Sequence, residues 1–294
     1  MKDKVTVGIL TYNHEKFIEK CLISVLELEY ENLEIIISDD GSKDKTIEII
    51  NKIVAESPKN LSIVVNQNKQ NIGLAANFNK VFLELATGDY LIGLGGDDIF
   101  SNYNIKENLF YFKLDDKIMM VDFNANVIDE NDNIKGVAAK LDFDHKIFDL
   151  KDYLSLNNIL TFAPGRIFKK ELMLNFLPIS KHCPTEDSVL VVRSLLLGKI
   201  CRVNKINVLY RRHSENVSSQ KNLRSMSNIR IVAQYIKDAI NLYDLKILSD
   251  DELVMLLKRF DYEYKRREII YSGLNKYVKI FKRKIIKQAY NIKK

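Results

Sequence analysis

Short unbroken apolar runs alternate with longer runs of helical spacing through the first hundred residues. Residues 5–10 (Val-Thr-Val-Gly-Ile-Leu) read as a buried strand. Residues 15–28 follow with apolar positions at 17, 18, 22, 25 and 26, the spacing of one helical face. Residues 34–38 give a second strand and 44–55 a second helix, with Ser42 expected as its N-cap. A third strand (61–65) and a third helix (74–86) come next. Within residues 88–98, Gly88-Asp89 opens an apolar run that stops at Gly95-Gly96-Asp97-Asp98. Short apolar runs bounded by glycine suit strands buried on both faces of a parallel sheet. The repeated strand–helix alternation predicts an α/β fold with a right-handed, doubly wound, mainly parallel sheet of Rossmann-like type.

Beyond residue 98 the rhythm breaks. Residues 105–114 look helical, 118–127 strand-like, 129–133 a polar turn and 153–159 a short helix. Residues 158–168 contain the turn pair Pro164-Gly165. A helix over 185–197 keeps positions 189, 190, 192, 195 and 196 on one side, and a last strand spans 200–210. After the polar loop 211–222 only helical spacing remains, over 229–243, 251–271 and 274–290. A domain boundary is expected near residue 217, dividing a catalytic α/β domain (1–217) from a helical, basic C-terminal region (218–294).

Charge sharpens that division. The net charge of +6 hides a tail, residues 258–294, with 13 Lys/Arg against 3 Asp/Glu, which leaves the preceding residues acidic overall. In the last predicted helix Ile270, Leu274, Tyr277, Val278, Phe281, Ile285 and Ala289 make an apolar stripe. Lys276, Lys279, Lys282, Arg283, Lys284 and Lys287 fill the rest. Two readings stay open: a basic amphipathic helix on an anionic membrane surface, or a helix docked on the catalytic domain or a second subunit. Nucleic acid is not an expected partner, because no binding motif accompanies the charge. No apolar run approaches the roughly 18–20 residues of a membrane span, and residues 1–10 turn polar too quickly for a secretory signal. Cys21, Cys183 and Cys201, odd in number and scattered, suggest reduced thiols and a cytoplasmic setting. The four histidines form no metal-spacing pair.

Ligands of open α/β sheets gather beyond the carboxyl ends of the strands. Four polar clusters fall there: Thr11-Tyr12-Asn13, Asp39-Asp40-Gly41-Ser42, Asn71-Ile72-Gly73 with Asn77, and Gly95-Gly96-Asp97-Asp98. Asp97 and Asp98 offer hard oxygen ligands suited to Mn²⁺ or Mg²⁺, and Gly96 lets an anion approach the backbone. Asn13, Asn71 and Ser42 also read as helix caps and Asp39-Asp40 as a turn, and singly the structural reading is favoured for Thr11, Asn13, Asn71 and Asn77. Their coincidence on one edge points to a site.

Together these pieces resemble the donor half of a family 2 glycosyltransferase. The matching segments are Val7-Gly-Ile-Leu-Thr-Tyr-Asn13, Ile36-Ile-Ser-Asp-Asp-Gly-Ser42, Asn71-Ile-Gly73 with Asn77, and Gly88-Asp89-Tyr90 leading to Asp97-Asp98. Thr185-Glu186-Asp187 resembles the family's Glu-Asp motif, and Tyr210-Arg211-Arg212-His213 with Asn216 and Ser218 its closing loop. The resemblance spans residues 4–220 and implies a GT-A fold, a nucleotide-sugar donor (UDP), inversion, and a glycan or lipid-linked acceptor in bacterial surface polysaccharide synthesis. It implies that Thr11 and Asn13 position the base and Asp39 reads its N–H. Asp40, Asn71, Gly73, Asn77 and Gly96 belong to the same donor site. Asp97, with Asp98 beside it, would hold Mn²⁺ or Mg²⁺; Arg211, Arg212 or His213 would close over the diphosphate; Asp187 would be the catalytic base. Gly95 departs from the pattern, standing where the family's metal motif usually has its first acid. Asp187 also reads as a helix-start acid, with Thr185 as N-cap and the dipole keeping it ionised. Two other functions compete: a sugar nucleotidyltransferase, disfavoured because no Gly-rich loop follows the first strand, and a catalytically degenerate nucleotide-sugar-binding protein at the membrane.

Overall fold

The four expected strand–helix units are present in the computed structural model, which describes residues 3–290 apart from 59, 157–158, 215, 217–221 and 223–224. They comprise β1 (Val5–Thr11), α1 (Ile18–Leu26), β2 (Leu33–Asp39), α2 (Thr46–Glu56), β3 (Ser62–Gln67), α3 (Leu74–Asn79) and β4 (Tyr90–Gly95). After α3 a π-helical stretch, Lys80–Leu85, continues to β4. Every residue of β2 is buried, as expected of a strand covered on both faces.

Except for the long β6, the strands between residues 98 and 170 are shorter. They include β5 (Ile99–Phe100), β6 (Ile118–Ile128), β7 (Ile134–Val137), β8 (His145–Phe148) and β9 (Ile167–Lys169), with α4 (Ile105–Phe110) and α5 (Leu150–Leu154) between them. Then come α6 (Glu171–Leu174), α7 (Asp187–Leu197) and the long β10 (Lys199–Arg211). The sheet order is β3-β2-β1-β4-β9-β6-β10-β5, with β7 on β6 and β8 on β10. β3, β2, β1 and β4 run parallel. β9 is antiparallel to both β4 and β6, and β10 is parallel to β6. Two reversals restore direction, so β6 and β10 point the same way as β4. The carboxyl end of β10 therefore lies on the same sheet edge as those of β1, β2 and β4, although over a hundred residues separate them.

Two helix-start expectations are corrected. Ser42 does not cap α2: the helix begins at Thr46 without a side-chain cap, and Ser42 bonds Asp39 and Asn13 instead. Thr185 does not cap α7, whose N-cap position is Glu186, again without a side-chain bond.

Three C-terminal helices follow: α8 (Asn228–Asp244), α9 (Asp250–Tyr271) and α10 (Lys276–Ala289). α8 and α9 send Ile231, Val232, Tyr235, Leu256 and Phe260 into the same core as Phe82 of the first half and Val189 of α7. α10 buries no residue. The boundary expected near residue 217 lies outside the described residues. No helix among the described residues is long and apolar enough to cross a membrane. Cys21, Cys183 and Cys201 are buried and unpaired.

Candidate active site

A cavity of about 1410 Å³ opens along this shared edge. Thr11, Asp40, Asn71, Asn77, Asp97, Asp98, Asp187 and His213 all line it.

Thr11 ends β1, and its hydroxyl lies 3.2 Å from Nδ1 of His14. Asp40 follows β2 with its carboxylate saturated: Oδ1 accepts from Ile72 N and Asn68 Nδ2, and Oδ2 from Gly73 N, each at 2.9 Å. Asn77 is buried, its Oδ1 accepting from Ser38 Oγ at 2.6 Å and its Nδ2 donating to the Ser38 carbonyl. Asn71 Oδ1 accepts from Gly73 N at 3.0 Å. This wall is held mainly by amides of the loops that form it.

Five expected donor residues stand behind the wall rather than on it. Asn13 sits at φ 55° and accepts from Lys43 N, joining two loops. Asp39 is fully buried, its carboxylate accepting from the hydroxyl and amide of Ser42, and it is not among the residues lining the cavity. Gly73 supplies a positive φ and an amide. Gly96 allows close approach, since a Cβ there would lie 2.7 Å from Thr11 Oγ1 and 2.9 Å from His14 Nδ1. Arg211 is the clearest correction. Its guanidinium bonds the carbonyls of Asp97 and Asp129, pairs with Asp132 at 2.5 Å and stacks 4.7 Å from the Phe17 ring. It acts as a strut through Nε and Nη1, with Nη2 buried and without a hydrogen-bond partner, and Arg212 rather than Arg211 lines the cavity. Ser218 lies outside the described residues.

At the end of β4, Asp97 and Asp98 diverge. Asp97 Oδ2 lies 3.0 Å from His213 Nε2 and 2.9 Å from Asn216 Nδ2. Burial pushes the Asp97 carboxyl up, but the His213 hydrogen bond and the nearby imidazoles outweigh it and leave it below the usual carboxylate value. Asp98 turns inward and accepts from Arg211 N at 2.9 Å; burial, then the charge of Asp97, hold it well above the ordinary range. Asp98 is thus oriented away from the ligand cluster that sequence adjacency suggested. The cluster the fold assembles is His14, Asp97 and His213, with ligand atoms within 4.8 Å of one another, and it is the only such group among the described residues. The absence of a spaced histidine pair concealed it, because its members come from three separate loops. Two imidazole nitrogens with one carboxylate oxygen fit a divalent cation, and of Mn²⁺ and Mg²⁺ they suit Mn²⁺ better. Gly95 also finds its reason here: a Cβ at that position would fall 2.6 Å from Asp97 Oδ1.

Asp187 opens α7 across the cavity. Arg166, which sequence reading missed, donates to its carbonyl at 2.9 Å and lies 4.0 Å from its carboxylate. Arg166 is itself fixed by two bonds to the fully buried Asp122, which also accepts from Phe162 N. Surrounding protein raises the Asp187 carboxyl above its ordinary value, with Arg166 opposing the rise. Half of the side chain (51%) stays open to the cavity. Burial, then the charge of Asp187, raises Glu186 to about 8, so it keeps its proton at neutral pH.

Comparison with known proteins identifies the family. The pattern described as Glycosyl transferase family 2 matches residues 6–173, more than half of the chain. The protein is a family 2 glycosyltransferase. This glycosyltransferase is 26% identical over 250 residues to an uncharacterized glycosyltransferase, alr2836, of Nostoc sp. (strain PCC 7120), covering 80% of this chain and 75% of that one. It is 30% identical over 176 residues to the poly-beta-1,6-N-acetyl-D-glucosamine synthase of Staphylococcus aureus (strain COL), covering 58% of this chain and 40% of that protein. Its fold matches the crystal structure of S. aureus TarS 1–349 in complex with UDP-GlcNAc, with a TM-score of 0.58 at 15% identity, over 98% of this chain and 90% of that one. The expected GT-A architecture with its helical C-terminal part is therefore present. Membership of the family sets aside the nucleotidyltransferase reading.

Proposed function

We infer that this glycosyltransferase transfers a sugar from a UDP-linked donor to a hydroxyl of a glycan or lipid-linked acceptor, with inversion, in cell-surface polysaccharide synthesis. The observation that carries the reading is one cavity with the His14–Asp97–His213 cluster on one wall and Asp187 on another. The UDP-GlcNAc complex of TarS supports the donor class, and the named synthase relative supports the polysaccharide setting. Thr11, Asp40, Asn71 and Asn77 line the donor side, fixed in advance by the amides around them. A divalent ion held by His14, Asp97 and His213 would supply Lewis-acid charge to the leaving diphosphate. Arg212 adds positive charge at the same side. Asp187, steadied by Arg166, accepts the acceptor hydroxyl's proton as its oxygen attacks the anomeric carbon. Protonated Glu186 beside it adds no second negative charge there.

The test is single-turnover transfer from UDP-GlcNAc, with calorimetric donor affinity measured in parallel. Asp187→Asn is expected to lower transfer by roughly 10² to 10⁴, the usual share of general-base catalysis, while leaving donor affinity nearly unchanged. Excess chelator is expected to abolish both. Transfer at the parental rate in Asp187→Asn would remove the base from this account.

The C-terminal helix supports a second element, peripheral attachment to the cytoplasmic face of a membrane. Tyr277 and Phe281 are 83% and 65% exposed, with Ile285 on the same face of α10 and lysines flanking it. Co-sedimentation with anionic vesicles at low salt, weakened by added salt, is the expected result; indifference to such vesicles would refute it.

A further inference from the structure

The cavity is unevenly charged. Around the donor side and the base, Asp40, Asp97 and Asp187 are offset by Arg166 and Arg212, with Glu186 and Asp98 held toward their protonated forms. At the other end α9 and α10 bring Arg259, Arg266, Arg267, Arg283, Lys284 and Lys287 to the lining, against one carboxylate, Glu263. Glu263 is already shared: it pairs with Arg259 at 2.5 Å and with Arg266 at 3.3 Å. Arg267 donates to Tyr235, another lining residue, at 3.3 Å, and its Nε is buried with no hydrogen-bond partner. Among the described residues Arg283, Lys284 and Lys287 pair with no carboxylate.

The α10 cations are exposed, but crowding them beside the buried, unpartnered Nε of Arg267 costs free energy unless an opposite charge arrives. The donor does not supply it, since its diphosphate belongs with Arg212 and the His–Asp cluster at the other end. The volume also exceeds the roughly 300–1,000 Å³ of a pocket for one small ligand, leaving room for a second substrate beyond Asp187. Arginine-rich walls suit phosphate, whose oxygens take paired N–H donors.

Resting on the glycosyltransferase reading above, we propose that the acceptor is a phosphate-bearing molecule, held by its phosphates between α9 and α10 so that its hydroxyl meets Asp187. Arg267 and Arg283 bracket the phosphates from the two helices, and Lys284 and Lys287 extend the field toward the mouth. Exposed Tyr277 and Phe281 lie outside the cavity, so this cationic wall is separate from the apolar face of the same helix. The sources of such phosphate are a phosphodiester-linked polymer and a lipid-linked phosphate or diphosphate.

The experiment uses the full chain saturated with UDP and Mn²⁺, titrated at low salt with inorganic tripolyphosphate already saturated with Mn²⁺, so that the probe draws no metal from the donor site. Donor-site occupancy is fixed by the UDP, and UDP affinity is measured first. The expected result is tripolyphosphate binding that weakens at least tenfold in the triple variant Arg283→Gln, Lys284→Gln, Lys287→Gln, with circular dichroism showing the helices intact and UDP affinity within about twofold of the parent. Failure of the parent to bind UDP would instead overturn the underlying donor reading. Tripolyphosphate that fails to bind the UDP-loaded parent, or binds the triple variant equally, would overturn the proposal. Displacement is then attempted with a glycerol-phosphate oligomer and, separately, a short-chain prenyl diphosphate in detergent. Whichever displaces tripolyphosphate names the source, and displacement by neither contradicts the proposal.

Discussion

The proposed donor wall and the proposed base wall of this cavity are built by different means. At the donor wall, Asp40 and Asn71 are fixed by amides from loops of adjoining strand–helix units. At the base wall, Asp187 depends on a charge chain, Asp122 to Arg166 to Asp187, drawn from β6, the loop before β9 and the start of α7. Amide cradles are distributed, so losing one contact leaves others. A desolvated ion pair is concentrated, and removing one partner strands the other in a low-dielectric interior. The base wall should therefore be the brittle one.

Arg166→Gln is the strongest way to break that comparison. It leaves Asp122, fully buried, without its hydrogen-bonded countercharge and with only Arg202 acting on it at longer range, and the expected loss is about 3–5 kcal/mol of unfolding free energy. Urea unfolding measures it, with UDP affinity of the remaining folded protein as the control on the donor wall. A loss under about 1 kcal/mol would show that Arg166–Asp122 is not the strut described here.

Glu186→Gln sharpens the comparison with a smaller effect. Burial raises the Glu186 carboxyl to about 8, against an ordinary value of 4.5. Below about 4.5 both folded and unfolded chains hold the proton and nothing is lost. Between 4.5 and 8 the unfolded chain releases it while the folded chain retains it, so stability falls as pH rises. Glutamine has no proton to release. Its advantage over glutamate should grow from near zero at pH 4.5 to about 1–3 kcal/mol at pH 8, after discounting for the open cavity. Urea midpoints at pH 5 and 8 check this, and an advantage that does not grow with pH contradicts it.

Sequence pattern revealed the half of the fold made of local units. β1 to β4 and their helices each carry enough apolar residues at a fixed spacing to announce themselves. β5, β7, β8 and β9 have two to four residues each, too few to show a period. β9 matters most, because its antiparallel insertion between β4 and β6 is what brings β10 round to the same edge. The site followed the same divide. Clusters at strand ends were visible as motifs, but their orientations were not. Asp39 and Asp40 are adjacent, yet one faces Ser42 and the other the cavity. Arg211 and Arg212 divide similarly, since alternation along an extended chain sends neighbours opposite ways. His14 had a usable signal, standing one residue beyond Asn13 at the first strand's end. Its partners, Asp97 and His213, come from the ends of other strands, so no spacing rule could join them. Arg166 follows an ordinary Pro-Gly turn, and nothing in its surroundings marks it.

Three distant loops bring His14, Asp97 and His213 together into the cation site proposed for the donor wall. Electron spin-echo measurements on Mn²⁺ bound to the full chain with UDP test it most directly, because imidazole nitrogens modulate the manganese signal. The expected result is nitrogen modulation in the parent, reduced in both His14→Ala and His213→Ala, and Mn²⁺ affinity lowered by at least about tenfold in Asp97→Asn. Mn²⁺ bound without nitrogen modulation, or at parental affinity in Asp97→Asn, would contradict it.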